Sequence, residues 1–266
     1  MFKNNKIYQV DAFTSEMFKG NPAGVVLLET PVSEVWMQNI AMEMNLSETA
    51  YVIANGDDYD IRFFTPQNEI DLCGLATLSS AHTMFELGVV KSDQKIIFNA
   101  KGGRLEISKE GDFIVMNFPS YSLQKMEVPE KFEMIMGFRP KEIYSCDYGW
   151  VLAVAENEAS IENAKPLFSE MESNGMGHSM ITAKSEKENI DFVCRCFAPE
   201  FGIDEDPVTG SAHCALTPYW TKELGAKSLN SFQASKRSGK LIVKMIGDRV
   251  KIKGKALSVF SIDVLR

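Results

Sequence analysis

Three short stretches of this 266-residue chain hold residues able to move a proton or bind an anion. Glu48 is a lone carboxylate inside Leu46-Ser47-Glu48-Thr49-Ala50, where partial burial would disfavour its charged form and suit it to general acid/base work. An exposed turn glutamate is the competing reading. Cys73-Gly74-x-Ala76 and Thr209-Gly210-Ser211-Ala212 put small residues at expected helix starts, which leaves backbone N–H groups accessible to an anion. Close packing of a helix on a sheet would use the same small residues. Asp206-Pro207 precedes the second start; the proline holds Asp206 extended, and Thr209 is placed to cap the helix. Cys73 reads as an activated thiol at a helix N-terminus or as a small buried hydrophobe, and His213, one turn into its helix, is expected to line the site.

The two helix starts belong to an internal duplication. Gly74 and Gly210 are separated by 210 − 74 = 136 residues, and the same offset superimposes Tyr144 and Asp147 on Tyr8 and Asp11, and Gly239, Leu241, Gly247 and Asp248 on Gly103, Leu105, Gly111 and Asp112. Arg62-x-Phe64-x-Pro66 and Arg195-x-Phe197-x-Pro199 match at 195 − 62 = 133, so the second copy has three extra residues before its helix, in an insertion expected to hold Asp206-Pro207. A single doubling of this length implies two related domains, here 1–118 and 119–257, with the site in the cleft between them. Residues 256–265 alternate like one more strand, and 258–266 are expected to return to the first domain.

The elements that would position these residues follow from periodicity. Residues 7–13 and 23–28 read as strands around a Gly20-Asn21-Pro22 turn. Ser33 opens an amphipathic helix that ends near Asn45, which puts Glu48 at a helix-to-strand junction. Residues 72–87 and 210–224 read as the dominant helix of each half, among strands at 50–54, 61–65, 96–99, 103–108, 113–118, 150–155, 192–197, 241–245 and 250–252. A net charge of −8 argues against a nucleic-acid partner, and five cysteines at irregular spacing argue for free thiols. No apolar leader or 18-residue apolar span is visible, so no membrane association and a cytoplasmic location are expected. Cys194 and Cys196 share a strand face without a partner pair, and His82 and His178 have no metal spacing, so no metal is expected.

At these residues the chain resembles the phenazine-biosynthesis (PhzF-like) isomerase family, related in fold to diaminopimelate epimerase and proline racemase. The similar stretches are 10–14, Gly20-Asn21-Pro22-Ala23, 45–49, Phe64-Thr65-Pro66 with Cys73-Gly74-x-Ala76-Thr77, 205–213, and Gln233-Ala234-Ser235 followed by Arg237 and Gly239. The resemblance implies an α+β fold of two pseudo-symmetric domains, each a mixed, largely antiparallel sheet rolled around a central helix, with a cofactor-free active site. It places the family's general acid/base on Glu48, its site aspartate on Asp206 and its substrate-contacting serine on Ser211. Gly20, Asn21, Cys73, Gly74, Gly210 and His213 join them as the expected substrate-binding set. Leu75 stands where the family usually has histidine, so either the substrate differs or His213 or Cys73 takes part of that role, and Thr209 stands where a second thiol would be needed for a two-thiol racemase. The expected activity is a cofactor-independent isomerase that moves a proton on a small carboxylate-bearing metabolite. The alternatives are a non-catalytic binding member of the same fold and an epimerase that uses Glu48 with Cys73 or Asp206. The oligomeric state is open, with a homodimer as the assembly considered.

Overall fold

A computed structural model of the chain describes residues 6–265; residues 1–5, read above for targeting, and residue 266, the last of the returning segment, lie outside it. Contacts divide the chain into two units, one up to Asn117 and again from Lys253, the other Phe118–Ile252.

In unit 1, β1 (Lys6–Ala12) and β2 (Asn21–Leu28) are antiparallel, and α1 (Glu34–Met44) carries the chain back so that β3 (Glu48–Asn55) runs parallel to β2. Antiparallel β4 (Asp58–Phe64) and a short β5 (Glu69–Ile70) lead into α2 (Gly74–Glu86); then come β6 (Ile96–Ala100), parallel to β4, and β7 (Gly103–Glu110) and β8 (Phe113–Pro119). Unit 2 follows the same plan through β9 (Leu123–Lys125), α3 (Phe132–Met136), β10 (Glu142–Cys146), β11 (Val151–Val154), α4 (Glu158–Glu162), α5 (Phe168–Met171), β12 (Ser179–Lys184), β13 (Phe192–Ala198), β14 (Ile203–Asp206), α6 (His213–Leu224), β15 (Ser228–Gln233) and β16 (Gly239–Ile246), before β17 (Arg249–Gly254) and β18 (Ala256–Asp263). The pairing senses repeat: β10–β11 antiparallel, β11–β12 parallel, β12–β13 antiparallel, β13–β15 parallel and β15–β16 antiparallel. Gly103–Glu110 lands on Gly239–Ile246 under the 136-residue offset, so β7 and β16 correspond residue for residue.

The edge strands are exchanged between the repeats. Tyr144 of β10 pairs with Lys125 of β9, and Tyr8 of β1 pairs with Ser261 of β18; both partners differ by 136, as 144 − 8 and 261 − 125. The strand that closes each repeat in sequence therefore pairs with the first strand of the other repeat.

Each long helix is enclosed by its sheet. α2 packs on β1, β2, β3 and β18, and α6 on β15 and β16. A helix buried on nearly every side has no face for solvated polar groups, and the hydroxyls of α2 are spent on its own backbone: Thr77 donates to the Cys73 carbonyl (2.6 Å), Ser79 to Leu75 (3.0 Å), Ser80 to Ala76 (2.8 Å) and Thr83 to Ser79 (2.9 Å). In α6, Thr217 donates to His213 (2.6 Å), and Pro218, which cannot donate to Cys214, leaves a carbonyl that accepts the Tyr121 amide instead (2.8 Å). On the outer face of unit 1, α1 seats Met37 and Ala41 over Ile7, Val26, Leu28, Tyr51 and Phe64.

A duplicated ion pair fixes the register before each long helix. Arg62 Nε and Nη2 donate to Glu69 at 2.7 and 2.9 Å, Arg195 Nε and Nη2 donate to Glu205 at 2.7 and 3.0 Å, and each guanidinium lies 5.1 Å over the ring two residues on, Phe64 or Phe197. The glutamates differ by 205 − 69 = 136, the arginines by 133. The three extra residues therefore lie between Pro199 and Glu205, where the chain makes the 3-10 turn Pro199–Phe201 closed by Gly202 (φ 78°). This corrects the expectation that the insertion holds Asp206-Pro207: Asp206 pairs with Cys196 as Ile70 pairs with Phe63. The second half also contains β10, β12 and β15, which the periodicity did not mark.

The two clamps differ in depth. The Arg195 side chain is 12% exposed and also donates to the carbonyls of Ile161 and Ala164, whereas that of Arg62 is 37% exposed. Arg195→Ala should therefore lower unfolding stability in urea by about 1 to 3 kcal/mol, the cost of leaving a partly buried carboxylate and two carbonyls without their donor, and Arg62→Ala by clearly less. Equal losses would refute the ranking.

Candidate functional site

In unit 1 the local fold gathers Asn21, Ser47 and Glu48. Ser33 caps α1 by accepting the Trp36 amide (3.2 Å), and Asn45 ends the helix in the left-handed region (φ 49°), which turns the chain so that Glu48 is the first residue of β3. Its register partner on β2 is Ala23, and the Ser47 hydroxyl donates to Asn21 Oδ1 (3.3 Å). Glu48 is half-buried, its Oε2 is shielded from solvent, and the strand beyond it, from Thr49 to Val52, is buried. Gly20 has a backbone reason for its identity: φ is 67°, and a Cβ there would sit 2.1 Å from the Ala12 carbonyl oxygen. Cys73 is buried at the N-cap of α2, where its sulfur accepts the Ala76 amide (3.3 Å), so this thiol performs the capping that sequence reading assigned to Thr209 in the other half. Gly74 and Leu75 follow, and Leu75 is 5% exposed.

In unit 2 the helix start differs from its counterpart in three ways. Sequence periodicity begins the helix at Gly210, but α6 begins at His213, because residues 210–212 are wound more tightly: His213 and Cys214 donate to the carbonyls of Gly210 and Ser211, three residues back. Thr209 does not cap it. Its hydroxyl donates to Asp206 Oδ2 (2.5 Å), and the N-cap position falls on Ala212, with no side-chain cap bond. His213 is fully buried; Nδ1 faces the Thr209 carbonyl and Nε2 the Ser231 hydroxyl, both at 2.8 Å, and its ring lies beside Phe192. His213, expected to line a ligand site, thus ties the Thr209 turn to β15 inside unit 2. Ser211 is exposed and Gly210 buried.

Gln233 and Ser235 had no role in the sequence reading. The Gln233 side chain bridges Asp206 and Thr209, and Ser235 Oγ donates to the Pro207 carbonyl (2.6 Å), so the end of β15 clamps the whole Asp206-to-Thr209 turn. The available signal was alternation: Leu229, Ser231 and Gln233 all point inward on β15, and an inward glutamine must be hydrogen-bonded.

Comparisons with known proteins agree with this arrangement. The profile of the phenazine biosynthesis-like (PhzC-PhzF) family matches residues 10–261. The chain belongs to that family. An uncharacterised isomerase of Halalkalibacterium halodurans is 42% identical over 260 residues, 97% of this chain and 98% of its own. The crystal structure of a PhzF-family protein of Enterococcus faecalis superimposes with a TM-score of 0.92 at 35% identity, covering 98% of this chain and 99% of that one. A hydroxyproline epimerase of Agrobacterium vitis shares the fold alone, at a TM-score of 0.64 and 9% identity. This PhzC-PhzF member is thus an enzyme of the isomerase class with a diaminopimelate epimerase-like α+β fold. Among its described residues no group of three or more His, Cys, Asp or Glu is arranged to hold a metal, and no helix is long and apolar enough to cross a membrane.

A second cluster in unit 2 of the PhzC-PhzF chain involves His178, whose ring lies 3.5 Å from that of Trp150 and 5.0 Å from that of Phe201, a residue of the stretch that holds the three extra residues. Burial pushes the imidazole down to about 4, with a hydrogen bond to the Tyr148 backbone opposing. The unfolded chain therefore takes up a proton near pH 6.5 while the folded one stays neutral to about pH 4, so this group lowers stability as pH falls through that window and adds nothing below it. Urea unfolding midpoints should decline from pH 6.5 to 4, and His178→Phe, which keeps a ring against Trp150, should flatten the decline. An unchanged slope in a folded His178→Phe protein would remove His178 as its source.

Proposed function

We propose that this enzyme is a cofactor-independent isomerase in which Glu48 moves a proton between carbons of a small carboxylate-bearing metabolite. The observation that supports it is the placement of Glu48, a half-buried carboxylate at the head of a buried strand with one oxygen out of solvent. A carboxyl group so placed can take a proton from carbon and return it. We assign Asp206 and the exposed Ser211 of unit 2 to substrate contact, and the amides that open α2 and α6, from Gly74 and Gly210 onward, are each disposed toward an anion. Asn21 and Gly20 shape the unit 1 side. Fixed dipoles of this kind stabilise charge that develops in the transition state without reorganising.

An epimerase reading would need an acid/base opposed to Glu48. Cys73 is the thiol available in unit 1, but its sulfur already accepts the Ala76 amide, and the equivalent position in unit 2 is Thr209. Asp206 is left for that role, and inversion at the exchanging carbon would favour it.

Incubating candidate carboxylate metabolites with the enzyme in heavy water should reveal one whose C–H exchanges. On that compound Glu48→Gln should bind nearly as the parent does and lose about 10²- to 10⁴-fold in turnover, the usual worth of a general acid/base. Activity should survive exhaustive chelation. A Glu48→Gln enzyme that exchanges and turns over like the parent would sink the proposal.

A further inference from the structure

The direction of a single hydroxyl hydrogen at the start of α6 is settled by Gln233. The Thr209 backbone N–H lies 2.8 Å from Gln233 Oε1, and because that N–H can only donate, this end of the amide is the oxygen. Nε2 is fixed with it, and its two hydrogens go to the Asp206 carbonyl (2.8 Å) and to Thr209 Oγ1 (3.1 Å). Thr209 Oγ1 therefore receives a bond from a group that has only hydrogens to give, and its own hydrogen must go elsewhere. Asp206 Oδ2 is 2.5 Å away. The competing acceptor is the sulfur of Cys196, a thiol that burial pushes well above its ordinary range and so keeps neutral and weakly accepting. Gln233 is fully buried, so water does not replace it.

We propose that Gln233 is a positioning residue that, by turning the Thr209 hydroxyl toward Asp206, holds Asp206 as a hydrogen-bond-accepting carboxylate. For its functional meaning this rests on the reading of Asp206 as a site residue: a carboxylate so held accepts hydrogen bonds and does not give up a proton, which leaves proton transfer to Glu48. Unit 1 has no such device. Cys73 stands at the position of Thr209 and spends its sulfur on a helix amide.

Carboxyl-carbon NMR titration of Asp206 in the full-length protein tests the proposal without a substrate. Titratable groups that the structure places by Asp206 in unit 2 include Cys196, its register partner, Glu205, ion-paired to Arg195, and His213, reached through the Thr209 carbonyl, and none of these is altered in the variants. Thr209→Val should raise the Asp206 midpoint by about one pH unit, since it removes a hydrogen bond to a charged group, and Thr209→Ser should restore it. Gln233→Met should raise the midpoint in the parent background and leave it unmoved in the Thr209→Val background, because its effect passes through the hydroxyl. Equal shifts in both backgrounds, or none from Thr209→Val, would overturn the proposal. Should Gln233→Met fail to fold, hydrogen exchange in the parent decides: the Thr209 amide and the Gln233 side-chain amide must both be protected, and rapid exchange of either would overturn it. None of these readouts is turnover, so they stand apart from the fate of the Glu48 assignment.

Discussion

Enclosing a helix inside a rolled sheet imposes a condition that α2 and α6 meet at most of their polar groups, His82 Nε2 and Thr221 Oγ1 being exceptions. Every polar group on such a helix must find a partner without water. α2 meets the condition with Ser and Thr hydroxyls bonded to their own preceding turn, and its small residues let the strands approach on several sides. α6 contains an interior proline, and the carbonyl it leaves is taken by the Tyr121 amide. The helix starts are the places where this internal economy ends, because the first amides have no preceding turn to bond. The proposed function draws on those starts for the same reason.

Duplication provides two such starts, and they have diverged where function would require it. The Arg-Glu clamps that lead into them are nearly superimposable, at 2.7 Å in both copies. Beyond the clamps the copies part. Cys73 bonds the helix amide, whereas Thr209 turns away to Asp206; Leu75 is buried, whereas Ser211, at the same repeat position, is exposed. The shared scaffold keeps the geometry, and the few residues after the clamp carry the difference between the halves.

Much of this was legible in the residues themselves. The 136-residue offset marked the repeat, and Glu48, Cys73 and the Asp206-to-Ala212 stretch were found from residue type and local pattern. What escaped was set by contacts distant in sequence. The insertion was placed beside Asp206 because the match at Glu69 and Glu205 acquires meaning only when both are seen gripping an arginine. The helix start was placed at Gly210 because a tight turn and an α-helical turn use the same small residues. The burial of His213 was not legible because its partners, Thr209 and Ser231, lie on two different elements. β12 and β15 were missed because their polar inward residues, Thr182, Ser231 and Gln233, break the apolar alternation a buried strand normally shows.

The exchange of edge strands sets an order for synthesis on the ribosome. β1 emerges early, yet its partner β18 runs to Asp263, so the first unit to be translated is the last that can close. Unit 2 has all its strands by residue 252 and can close ahead of it. Throughout that interval β1 presents an unsatisfied edge, a template open to wrong partners. A translational pause between β17 and β18 would therefore lengthen the exposure of β1.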